Sequence, residues 1–261
     1  MAGLAITYGQ LRREVGRFLG FDRDPTNWVA DETQDVWDVI DSGLRQFYRP
    51  PRLPEHPIAH VWSFLEPHDT LVLVVDQEDY DLPADFAGLS GKLYYVDENW
   101  APSCVQVINE GHMLQLRQNE WDNNNQYYPR YAAIVAKDPD ETAIQRHQLQ
   151  IWPKPDAAYT LEYKYHVRPQ TEHTDANYPL GGSEHAEAVR ASVMAAAEVH
   201  LDDERGDKWA RFMDVLRSSI DFDQRSQSPS TLGQNTDRTD REGQDGYIRA
   251  DRLTIYEKYP T

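Results

Sequence analysis

The hydrophobic period changes twice along this chain, near residues 58 and 170, and each change excludes a fold built from a single kind of element. Before 58, apolar residues recur every three or four positions. Leu11, Val15, Phe18 and Leu19 share a face, introduced by Thr7 and Gln10 at capping-box spacing and closed by Gly20, which predicts a helix near 7–20. Asp31 and Gln34 repeat the start signal. Val36, Ile40, Leu44, Phe47 and Tyr48 then form a stripe until Pro50 and Pro51 forbid further helix, predicting a second helix near 32–48. Arg45 and Arg49 fall where cations favour a helix C-terminus, and a contact from them to an acidic neighbouring subunit is a second reading of the same residues.

From 58 to 170 the period shortens to two. Short β-branched and aromatic runs at 60–65, 70–75, 92–96, 105–109, 113–116, 131–136, 148–152 and 159–167 predict strands, separated by turns such as 109–111 and 153–155. The clearest is the alternation of Tyr159, Leu161, Tyr163, Tyr165 and Val167 with polar neighbours. Asp79 to Phe86 reads as a strand end and turn, pinned by Leu82 and Phe86.

The helical period returns after Gly181 and Gly182. Ser183 can cap a run through Ala186, Val189, Val193, Met194, Ala197 and Leu201, and Trp209, Phe212, Met213, Leu216 and Ile220 predict a fourth helix. The predicted fold is therefore α+β. N-terminal helices in 1–57 and an αα-hairpin in 171–222 form one bundle, a mostly antiparallel β-rich region fills 58–170, and an extended C-terminal arm occupies 223–261. The arm begins with 24 residues (223–246) holding one apolar side chain, Leu232, too few to offset the entropy of ordering them. It ends with Tyr247, Ile248, Leu253, Ile255, Tyr256 and Tyr259. A polar tether with an apolar end suits an arm that orders on a partner, and the alternative is a terminus that packs back on its own domain.

Charge narrows the function. With 26 basic and 44 acidic residues the net charge is -18, opposing tight contact with a phosphate backbone. Residues 66–99 hold nine carboxylates against Lys92 alone, which reads as a solvated acidic face. The single cysteine, Cys104, allows no disulfide framework within the chain, and the first residues lack a signal-peptide layout, so synthesis in the cytoplasm is expected. No apolar run approaches the ~18 residues of a membrane span.

Chemistry-bearing motifs are absent: no phosphate loop, no GxGxxG, no HExxH and no CxxC. Glu184 with His185, and Glu198 with His200, are spaced so that they diverge around a helix. Asp79, Asp81 and Asp85 lack the glycine and distal glutamate of a calcium loop, although a glycosidase carboxylate pair is defined by separation in space rather than in sequence. The run from Trp121 to Pro129, with Tyr127 and Tyr128, has the composition of a carbohydrate-binding loop and of a protein interface, and the interface is the preferred reading. Neither an enzyme nor a cofactor is expected.

The order of elements, together with GLRQFYRPP (43–51), HVWSFL (60–65), DYDLPADF (79–86), IWPKPDAAYTLEYKYHVRP (151–169) and YPLGGSEHAEAVRASVMAAAEVHLDDERGD (178–207), resembles the head-to-tail adaptor, or connector, proteins of tailed bacteriophages. These phrases span most of residues 7–222 and consist of packing and turn residues. The resemblance implies a structural virion protein of the neck that forms a homo-oligomeric ring, usually twelvefold, beneath the portal protein. Such a ring continues the DNA channel without binding the genome specifically, docks its C-terminal arm on the portal and offers a platform to tail, nozzle or tail-terminator proteins. Other neck components, such as a head-closure or tail-terminator protein, are alternatives within the virion, and a carbohydrate-binding or carbohydrate-acting protein is the alternative outside it. The β-rich region is larger than in the smallest adaptors.

Overall fold

The first helix, α1 (Tyr8–Leu19), starts where Thr7 Oγ1 accepts the Gln10 N–H while the Gln10 side chain accepts the Thr7 N–H. It ends at Gly20, whose φ of 87° lies in the left-handed region that glycine enters without strain. The computed structural model describes residues 4–54, 59–96, 104–118, 126–137 and 145–227. The second helix, α2 (Ala30–Tyr48), begins earlier than the Asp31 and Gln34 spacing suggested. Val29 is the cap residue, and Glu32 reaches back to accept its N–H at 3.0 Å.

After α2 the chain does not enter a strand at 60–65. Residues Ser63–Leu65 form a 3-10 turn, because Trp62 is fully buried against the helices and donates its indole N–H to Phe47 O at 2.8 Å. Aromatic packing, rather than strand pairing, is what that apolar run serves: the Phe47 and Trp62 ring centroids lie 4.8 Å apart.

Eight strands follow among the described residues: β1 (His68–Val72), β2 (Asp79–Asp81), β3 (Phe86–Leu89), β4 (Leu93–Tyr95), β5 (Cys104–Val107), β6 (Tyr131–Lys137), β7 (Arg146–Trp152) and β8 (Thr160–Val167). Their order is β1-β8-β4-β5-β6-β7-β2, with β3 also on β8, and every pairing is antiparallel except β5 with β6. That parallel step needs a crossover, which contains α3 (Glu110–Gln118). The run 113–116 is therefore helical, not a strand. Asn109 is not part of a turn but the start of this helix, since its side chain accepts the His112 N–H at 2.7 Å.

The chain then closes with α4 (Ala186–Asp202) and α5 (Asp207–Gln227). His185, not Ser183, occupies the cap position of α4, and α5 runs five residues beyond the boundary expected at 222. Two hydrophobic clusters result. One gathers α1, α2, α4 and α5 with Leu53, Trp62 and Leu65, and the other lies among the strands around Phe86, Leu93, Leu149, Ile151 and Leu161. Val167 packs against both.

The helices approach closely where α2 crosses α4. A Cβ on Gly43 would stand 2.5 Å from Val193 Cα, and Ser192 Oγ donates to Gly43 O at 2.7 Å.

Candidate interaction surfaces

The most buried acid is Asp223, 2% exposed on α5, at a position the sequence placed in the polar arm. It accepts the Ser63 N–H at 3.1 Å and the Ser63 hydroxyl, and His60 Nε2 lies 2.8 Å away. Serine, histidine and aspartate thus meet, but the hydroxyl donates to the carboxylate and not to the imidazole. No base activates the serine, so the trio is an anchor tying the end of α5 to the chain leaving α2. No local pattern signals it, because Ser63 and Asp223 are 160 residues apart. Asp223→Ala is expected to lower stability by about 2–4 kcal/mol, since it strands two buried donors and an imidazole. Urea denaturation followed by tryptophan fluorescence measures this, and a loss below about 0.5 kcal/mol would contradict the anchor.

His185 Nδ1 lies 2.6 Å from Ser219 Oγ in the same helical core, where burial, countered by Asp223 and Glu184, holds the imidazole below its ordinary pKa. Glu198, also buried, accepts the N–H groups of Gly206, Lys208 and Trp209 at 3.0, 3.1 and 3.1 Å. Burial alone would raise its pKa, but the three N–H donors outweigh that and leave it below the ordinary value. Both histidine and glutamate have structural employment here.

The acidic face is less negative than its sequence. Lys154 meets Glu78 at 2.9 Å and Asp76 at 3.6 Å, Arg117 meets Asp79 at 3.0 Å, and Lys137 meets Asp81 at 2.7 Å. These cations come from α3, β6 and the turn after β7, so sequence proximity had hidden the pairing. Glu66 is similarly held by Lys164 at 2.5 Å and Ser90 at 3.1 Å. Burial pushes its pKa up, and Lys164, Ser90 and His166 together more than reverse that.

Among the described residues, three exposed apolar side chains share one face of the sheet. Register places Thr160 between Val72 and Val96, whose N–H donates to Thr160 O, and Glu162 between Thr70 and Tyr94. Val72, Tyr94 and Val96 on this face are 60, 52 and 50% exposed, whereas Leu71, Leu161 and Tyr95 turn to the interior. Single exposed apolar residues are ordinary, but three of them on one face, interleaved with Thr160 and Glu162, form a mixed surface suited to a protein contact. Sequence reading missed it because alternation in 70–75 shows two faces without showing which is covered.

Of the residues singled out from sequence, Arg45 and Arg49 are exposed at the end of α2, beside buried Phe47 and Tyr48. The Tyr127 and Tyr128 ring centroids lie 4.2 Å apart, tilted by 41°, with the Arg130 guanidinium 4.9 Å over Tyr128, forming a cation-backed aromatic pair in the segment leading into β6. Trp121 and the arm residues Tyr247, Ile248, Leu253, Ile255, Tyr256 and Tyr259 lie outside the described residues. The structure does not bring Arg45 and Arg49 together with Tyr127 and Tyr128, which stand on different elements. Among the described residues no group of three or more metal-ligating side chains converges, and no helix is long and apolar enough to cross a membrane.

Against known proteins, the model of one family, described as SU10 adaptor protein, matches residues 6–236. No curated protein matches the chain.

Proposed function

The chain belongs to the SU10 adaptor family, a family of structural phage adaptor proteins, and on that premise we propose that it is a head-to-tail adaptor: a subunit of a ring stacked beneath the portal of a tailed phage. The observation that carries this reading is the extent of the family match, which takes in both hydrophobic clusters rather than one motif. An adaptor must offer at least two surfaces, one to the protein above and one to the protein below. The exposed Val72, Tyr94 and Val96 face supplies one apolar surface, and the arm from 228 to 261, with its apolar end, supplies a second reach.

The electrostatics suit a conduit. A net charge of -18 disfavours adhesion to DNA passing through the ring, although the Lys154, Arg117 and Lys137 pairings mean that the repulsion comes from the whole chain rather than from the 76–81 segment. The docking residues of the arm are Tyr247, Ile248, Leu253, Ile255, Tyr256 and Tyr259, and its partner is the portal protein. Cryo-electron microscopy of the full chain mixed with the portal of the same particle tests the reading. A coaxial ring with the 247–261 segment in density against the portal is expected, and a monomer that ignores the portal refutes it.

A further inference from the structure

Two chains of charge -18 repel, so a contact between copies is favoured where one presents local positive charge to the other's carboxylates, within the ~8 Å over which physiological salt leaves charges visible. The carboxylate excess is greatest in 58–170, which holds 17 acids and eight bases. The complementary surface is a groove of about 360 Å³ on the helices, between α1, α4 and α5.

Four cations, Arg17, Arg190, Lys208 and Arg211, line this groove against two carboxylates, Glu14 and Glu187. Both carboxylates are already engaged. Glu14 binds Arg190 at 2.7 Å, and Glu187 binds Arg211 and, at 3.7 Å, Arg190. Arg17 and Lys208 make no ion pair within 4 Å among the described residues, although Lys208 also lies in the field of the buried Glu198 carboxylate, so the groove keeps a local excess of positive charge on its two walls. Between them the lining is apolar, with Phe18 and Met194. A bare phosphate would use the cations and leave that apolar lining wet. A peptide segment carrying carboxylates beside an apolar side chain uses both.

We infer that the α1–α4–α5 groove receives an acidic, apolar-bearing segment of a second copy of this chain, contributed by the carboxylate-rich β region. This rests on the ring reading above and specifies the subunit contact. Acceptor and donor are different parts of the same chain, so the contact is heterologous, and repeated heterologous contacts give a ring where the rotation between copies closes, rather than a two-fold dimer. Ion pairs at such a rim contribute mainly orientation and association rate, while the apolar residue between them supplies the desolvated area.

Mass photometry of the full chain, alone and with the portal, tests this using Arg17→Glu combined with Lys208→Gln. The control is Arg23→Glu with Arg52→Gln, which removes the same charge from exposed cations outside both the groove and the β region. Thermal melting of each variant checks folding, and Arg17→Gln alone is the milder second variant, at an exposed site. The groove variant is expected to weaken assembly about tenfold or more with the control unchanged, and wild-type assembly should weaken with added salt. Equal assembly of groove variant and wild type overturns the groove while leaving the ring reading intact. Equal loss in groove variant and control also overturns it, by showing general repulsion. A wild type that stays monomeric both alone and with the portal overturns the ring reading and this inference together.

Discussion

Replacing Gly43 by valine is expected to prevent the helical cluster from closing. A helix-interior glycine changed to alanine ordinarily gains about 1 kcal/mol, because glycine has more backbone freedom to lose on folding. Here the sign reverses. The new Cβ would stand 2.5 Å from Val193 Cα and 2.9 Å from Val193 N, and both are backbone atoms that cannot rotate away. The helices must separate, which also stretches the 2.7 Å bond from Ser192 Oγ to Gly43 O. Overpacking of this kind costs about 1–3 kcal/mol for one methyl group and more for a branched side chain. Gly43→Ala should therefore lower stability by about 2 kcal/mol net, and Gly43→Val by about 4 kcal/mol or more, against a typical total of about 5–15 kcal/mol. Chemical denaturation of the series Gly, Ala, Val checks this. A stabilised Gly43→Ala would show that α2 and α4 do not touch at this point.

Glu198→Ala carries the second large effect. The first N–H groups of a helix have no partner within it, and Glu198, on the helix before, accepts those of Lys208 and Trp209 together with that of Gly206 just ahead of α5. Hydrogen bonds to an ionised acceptor are worth about 1.5–3 kcal/mol each, and they are not additive, so a total loss of about 3 kcal/mol is expected. Hydrogen exchange at those three amides should accelerate about 100-fold if the loss is taken up by fraying of α5. Unchanged exchange there would contradict the capping role.

The pH dependence follows in sign from the depressed pKa of Glu198. Its folded value lies below the ordinary value of 4.5, so its stabilising share is complete above about pH 4.5 and disappears as pH falls through the lower folded value. Glu198→Gln should flatten the acid limb of the stability curve and lower the plateau at neutral pH.

What could be read from sequence was what is settled within three or four residues. Thr7, Gln10 and Gly20 bracket α1 because caps are local bonds, and the alternation from Tyr159 to Val167 shows β8 because one face of that strand is covered along its whole length. Short apolar runs failed. The segments 60–65 and 113–116 have too few residues to display a period, and their states are decided by Phe47 and by Asn109, outside the runs themselves. The charge pattern misled for a related reason: the cations that pair with Asp76, Glu78, Asp79 and Asp81 arrive from residues 117, 137 and 154. Asp223 was the furthest out of reach, since a buried acid looks like a tether acid until Ser63 and His60 are placed beside it. The proposed groove has the same character. Arg17 and Lys208 are unremarkable helix-surface cations in sequence and become a pair only when α1 and α5 flank α4.

The anchoring of α5 to the segment after α2 sets an order of events during synthesis. Gly43 emerges from the ribosome 149 residues before Ser192 and, at about 5–20 residues per second, waits roughly 7–30 s for the helix that covers it. Throughout that interval Val36, Ile40, Leu44, Phe47 and Trp62 have no α4 or α5 to bury them, while the strands emerge one after another and the last of them, β8, is complete before α4 begins. A prematurely terminated chain that ends before Asp223 would therefore leave apolar helix faces open to chaperones and proteases. Completion of the helical cluster is a checkpoint on chain length, and only a chain translated through α5 passes it.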